Sequence, residues 1–157
     1  MRRTFPIALF CALALGLGAT GPAASEEPLE VVIIAHPKTP ASKLSRTDLE
    51  DIFSTSRRFW SNGQRARPFN LPPKHQVRVA FDRAVLQRSP VEVGRFWIDR
   101  RVRGGNPPPK HIPNTKVMLK VIARLPGSIG YVPARLVDDS VQVVGRIRGG
   151  RLVAEQR

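Results

Sequence analysis

Three histidines, His36, His75 and His111, are the only imidazoles in the chain. None stands at zinc-ligand spacing, and no carboxylate accompanies them at a motif-like distance. Each lies beside a proline or just after one, which places it in a solvated loop. No G-x-S-x-G elbow, phosphate-cradling P-loop or dinucleotide fingerprint occurs. Asp48, Glu50 and Asp51 cluster where a helix should begin, and acids there complement the helix dipole without doing proton-transfer work. The single cysteine, Cys11, sits in an N-terminal apolar run. These absences point away from an enzyme and imply no metal and no cofactor.

One constellation has the makings of a binding site. In Asn70-Leu71-Pro72-Pro73-Lys74-His75-Gln76-Val77-Arg78, two prolines close a strand and an apolar helical stripe begins near His75. Free N–H groups at such a helix start carry partial positive charge, and Lys74 and Arg78 add full charges, so an oxyanion is the favoured guest. The candidate ligand-binding residues are Asn70, Lys74, His75, Gln76 and Arg78. A proline-shaped turn with solvated cations is the plainer alternative. Phe59, Trp60, Phe96 and Trp97 could stack on a base or sugar, although a chain with few other large side chains needs them in its core.

The flanking elements follow from pattern. Glu30 to Ala35 (EVVIIA) is a continuous β-branched run and reads as a central strand buried on both faces. Ser45-Arg46-Thr47-Asp48 resembles a capping box ahead of a short helix with Leu49, Ile52 and Phe53. A loop or hairpin around Asn62-Gly63 leads into a strand near Ala66 to Leu71. Val77, Ala80, Phe81, Ala84 and Val85 form the next helical stripe. Ser89-Pro90-Val91-Glu92 starts another helix, expected to bury Val93, Phe96 and Trp97. Gly104 to Pro113 should be an extended, basic connector. A helix from Asn114 stops at Pro126-Gly127. Ser128 to Val132 and Val141 to Val144 read as strands, and Leu152-Val153 as a short edge strand. Alternating strands and helices predict an α/β sandwich with a central, largely parallel sheet flanked by helices.

The order of these signals resembles a known family. The strand ending in His36-Pro37, the helix running to Ile52-Phe53, Trp60 with Asn62-Gly63-Gln64, Pro68-Phe69-Asn70, Phe96-Trp97 and Pro126-Gly127-Ser128-Ile129-Gly130-Tyr131-Val132 are similar to the phosphate ABC transporter substrate-binding protein family, in its short, single-lobe, periplasmic-binding-protein-like branch. The resemblance runs from about Glu30 to Val144. It implies a type II-like periplasmic-binding lobe that takes up or senses phosphate or another small oxyanion. Full-length relatives hold the anion between two lobes, partly through an Arg and a Ser-Gly-Thr turn. The matching stretch here, Asn70 to Gln76, contains no Ser, Gly or Thr.

Arg2 and Arg3, the apolar run from Ile7 to Ala19 and the small residues Ala23-Ala24-Ser25 have the layout of a secretory signal peptide. The run is too short for a membrane span, which needs about 20 residues. The expected organisation is a signal peptide over residues 1–25 and one domain over residues 26–157, located in the periplasm with no membrane insertion after cleavage. The formal charge of +14 falls to +12 without Arg2 and Arg3. Residues 61–112 carry eleven basic and three acidic side chains, a field that favours anionic partners. Phosphate or a similar oxyanion is one such partner, and a membrane transporter or envelope protein another. An alternative function is a non-catalytic basic module that docks an acidic protein or anionic surface. Nucleic acid is not expected, since export removes the genomic target and no recognition motif is present.

Overall fold

The computed structural model describes residues 29–41 and 44–153. The expected signal peptide lies outside the described residues. β1 (Val31–Ala35) has all five residues buried, as its unbroken apolar run requires. Ser45 then caps α1 (Arg46–Phe53) with a complete capping box, its side chain accepting from the Asp48 N–H while Asp48 reaches back to the Ser45 N–H. α1 buries Leu49, Ile52 and Phe53. β2 (Arg67–Asn70) leads to α2 (Gln76–Phe81), which runs on into a π-helical turn, Asp82–Leu86. α3 (Pro90–Val102) starts at the expected Ser89 cap. β3 (Lys110–His111), α4 (Thr115–Arg124), β4 (Ser128–Pro133), β5 (Gln142–Arg148) and β6 (Arg151–Val153) complete the chain.

The six strands form one sheet in the order β3-β2-β4-β1-β5-β6. β2 is parallel to both β3 and β4. β1 is antiparallel to its two neighbours, β4 and β5, so β3, β2, β4 and β5 share a direction that β1 and β6 oppose. The α/β class with one helix-flanked central sheet therefore holds; parallel pairing is confined to β3, β2 and β4, and β5 shares their direction without a parallel neighbour. Their common direction is interrupted because β1 is threaded between β4 and β5, which are joined by residues 134–141 passing over it.

Alternation along β4 assigns the helices to opposite faces. The Tyr131 ring stacks on Phe81 of α2 at 4.1 Å between centroids and meets Phe53 of α1 at 5.8 Å. Gly130, one residue earlier, points the other way, where an added Cβ would stand 2.7 Å from Met118 Sδ of α4. A side chain at position 130 would force the Met118 thioether to move. Met118 and Ile122 are the buried residues of α4. Hence α1 and α2 cover one face and α4 the other.

Two stretches far apart in the sequence are locked together. Trp60 is buried and its indole N–H donates to the Gly127 carbonyl at 2.9 Å, which also accepts from the Arg67 N–H at 3.0 Å. Gly127 has φ +81°, and a Cβ there would lie 2.4 Å from the Arg65 carbonyl oxygen. Only glycine fits this clamp. α3 differs from expectation: of Val93, Phe96 and Trp97, only Val93 is fully buried. Arg88 and Arg100 instead cover the Phe96 ring, their guanidinium carbons 4.6 and 5.7 Å from its centroid.

Candidate functional site

β2 and β3 end side by side at Asn70 and His111, and α2 starts six residues after β2. In sheets of this kind the carboxyl ends of neighbouring parallel strands are where ligands are held. A polar cluster occupies this corner. Tyr131, fully buried on β4, donates its hydroxyl to Asn70 Oδ1 at 3.0 Å and accepts from the Leu71 N–H at 3.4 Å. Burial above all, reinforced by the Asp82 charge, raises the Tyr131 pKa and keeps the phenol protonated as that donor. The Asn70 carbonyl accepts from the Ile112 N–H at 2.7 Å. Asn70 thus ties β2 to both of its flanks and is itself buried.

Arg78 lies beneath this knot. Only 4 % exposed, it donates through Nη1 to the Leu71 carbonyl at 2.7 Å and meets His111 Nε2 at 3.2 Å through the same nitrogen. Its Nε donates to Asp82 Oδ2, one turn along, at 3.3 Å. An arginine makes no acceptor, so His111 Nε2 must be the acceptor and the ring neutral at that nitrogen. Burial and the neighbouring Arg78 charge lower the His111 pKa accordingly. Asp82 is 2 % exposed, and its Oδ1 finds no partner. Burial outweighs the attraction of Arg78 and pushes the Asp82 carboxyl up from 3.8 to about 6.

The expected site residues therefore fall into two groups. Lys74 and Gln76 are exposed beside the α2 start. His75 is the N-cap of α2, and its Nδ1 accepts from the Val77 N–H at 3.3 Å. That ring satisfies one orphan N–H itself, leaving the Gln76 N–H without a partner among the described residues. Asn70 and Arg78 are not surface donors. They form the buried base on which this turn stands, because the Asp82 carboxylate and the Leu71 carbonyl claim the guanidinium. Tyr131 and Asp82 complete that base, the exposed His111 borders it, and all three are additions to the expected set. A sequence signal exists for one of them: Arg78, Phe81, Asp82 and Val85 fall at i, i+3, i+4, i+7, a single helical stripe. The expectation of solvated loops for the histidines fails at His36, which is buried just beyond β1, where its Nδ1 accepts from the Lys38 N–H at 3.1 Å; His111 is exposed as expected, but it stands on β3 and not in a loop. Among the described residues, no group of three or more histidine, cysteine or acidic side chains is placed to hold a metal ion. No helix of the described residues is long and apolar enough to cross a membrane.

The class defined by this geometry is a single α/β lobe of the kind found in phosphate transport receptors. In particular, the chain is similar to an ABC-type phosphate transport receptor from Vibrio cholerae, at TM-score 0.59 and 14% identity over 74% of this chain and 46% of that one. It is equally similar to a candidate phosphate ABC transporter substrate-binding protein with bound phosphate from Clostridium perfringens, at TM-score 0.59, 16% identity, and 74% and 45% coverage. PstS from Borrelia burgdorferi matches at TM-score 0.56 and 9% identity, with 74% and 47% coverage. The chain spans about half the length of these structures. No family model and no curated protein matches the sequence.

Proposed function

We propose that this chain is an exported, non-catalytic solute-binding lobe that works in the periplasm and takes phosphate or a similar small oxyanion at the turn from β2 into α2. The observation that carries the reading is the fold of phosphate receptors combined with an exposed Lys74 and a free Gln76 N–H at the end of parallel strands. In this arrangement Lys74, His75 and Gln76 meet the anion, while Asn70 and Arg78 hold the turn in place.

A donor set on one side leaves water competing on the other, so affinity is low until a partner closes the site. A membrane transporter or envelope protein is the natural candidate for that partner. The test is thermal unfolding of the purified protein in phosphate, sulfate and chloride at matched ionic strength. Binding to the native state raises the melting temperature by mass action. Phosphate should raise it and chloride should not, and Lys74→Ala should abolish the difference. Absence of any anion-selective shift at millimolar phosphate or sulfate would remove the solute-receptor reading.

A further inference from the structure

On the opposite face of the sheet lies a second basic feature that the anion reading does not use. Lys116, Lys120 and Arg124 project from α4 at four-residue intervals, all exposed. Four residues of α-helix advance about 6 Å, so the three cations form an evenly spaced row. None has an ion-pair partner among the described residues. The row borders an open cleft of about 390 Å³, lined also by Leu119 and Ala123 of α4 and by Leu136, Asp138 and Ser140 from the segment joining β4 to β5. The cleft contains its own carboxylate, yet Asp138 does not neutralise the row. It is held instead by the Ser140 hydroxyl and by the Ser140 N–H at 3.0 Å. Those bonds lower the Asp138 pKa and keep its carboxylate charged on the part of the cleft wall formed by the segment joining β4 to β5.

We propose that this cleft docks an extended acidic segment of a partner protein, with carboxylates at alternate positions and apolar side chains between them. Charge complementarity selects the acids, because three unpaired cations face solvent in a line. An extended chain matches the row: same-side residues of a strand recur roughly every 6.4–6.8 Å, close to its pitch. Asp138 adds a repulsive element. The alternate side chains point at its wall, so acids there are rejected and apolar residues that meet Leu136 are accepted. A second copy of this strongly cationic chain is disfavoured by the same charges.

The experiment is fluorescence anisotropy with a labelled, N-acetylated Glu-Leu-Glu-Leu-Glu peptide and the purified protein, alongside Glu-Glu-Glu-Glu-Glu and Lys-Leu-Lys-Leu-Lys. The alternating acidic peptide should bind saturably and weaken as salt rises. The all-glutamate peptide should bind more weakly and the lysine peptide not at all. Removing the row with Lys116→Ala, Lys120→Ala and Arg124→Ala should weaken binding about tenfold, as expected for three exposed charge pairs. Lys74→Ala, on the other face, should leave it unchanged. Equal affinity for the parent and the triple variant would overturn the proposal, as would indifference between the two acidic peptides. Competition by millimolar phosphate that Lys74→Ala relieves would also overturn it, since the peptide would then be occupying the anion turn.

Discussion

The two faces of the sheet use the same side-chain chemistry in opposite ways. Under α2, Arg78 is sealed in and claimed by Leu71, His111 and Asp82. Along α4, Lys116, Lys120 and Arg124 stand in solvent and are claimed by nothing among the described residues. A cation with partners on every side spends its charge on holding strands and helix together. A row without partners has its charge available to something outside the chain. The difference teaches that the count of basic residues says little until each one's hydrogen bonds are known. Among the residues expected to bind an anion, Arg78 belongs to the engaged class and Lys74 to the available one.

The sharpest way to break this contrast is to remove Arg78. Arg78→Ala strands the Asp82 carboxylate in the interior with neither of its oxygens paired, and uncompensated buried charges cost about 3–5 kcal/mol. Urea unfolding at pH 7 should show a loss of that size. A loss below about 1 kcal/mol would mean that Arg78 is not tied into the structure and can turn outward to a ligand.

The Asp82 carboxyl gives the next largest effect, and its sign is fixed by the direction of its shift. Its pKa is raised on folding from 3.8 to about 6, so between those values the folded protein binds more protons than the unfolded chain. The contribution of this group is complete below pH 3.8 and is lost as pH rises through 6, a fall of roughly 2–3 kcal/mol. His111 runs the other way: its pKa is lowered by burial and by Arg78, so its contribution is present above 6.5 and is lost as pH falls. Comparing the parent with Asp82→Asn across pH 4 to 7 separates the two. The downward trend with rising pH should vanish in the variant.

A smaller effect is expected at Tyr131. Tyr131→Phe keeps the ring between Phe53 and Phe81 and deletes only the hydroxyl that serves Asn70 and Leu71. Two buried groups lose a partner, at a cost of about 1–3 kcal/mol. If the unfolding midpoint in urea does not move, water has entered the corner and the turn is less dry than its burial implies.

How much of this is legible in the residues differs between the two faces. EVVIIA announces a strand buried on both sides, and both serine capping boxes close as their spacing requires. The α4 stripe is legible from its period. Strand direction is not, because a run of apolar residues has no arrow, and β1 lies antiparallel between its neighbours for reasons of connectivity. β3 is hidden in the proline-rich connector, since two residues, Lys110 and His111, are too few to show a period. Arg78 looks like a surface donor when its charge is weighed above its position in the stripe with Phe81 and Val85. The cleft on α4 has no sequence signal, as it exists only where Leu136 and Asp138 return against the helix from a different part of the chain.

The smallest expected change in stability comes from the α4 row, and it completes the contrast. Replacing Lys116 and Lys120 by alanine removes no hydrogen bond and no ion pair among the described residues, so the unfolding free energy should stay within about 0.5 kcal/mol of the parent. Any change should be a slight gain, because two like charges one turn apart repel along the helix and alanine is the better helix former. A loss above about 2 kcal/mol in urea unfolding would show that the lysines hold α4 to its own sheet, much as Arg78 holds α2. A stability change near zero, with a loss of acidic-peptide binding, is the signature of charges whose partner lies outside this chain.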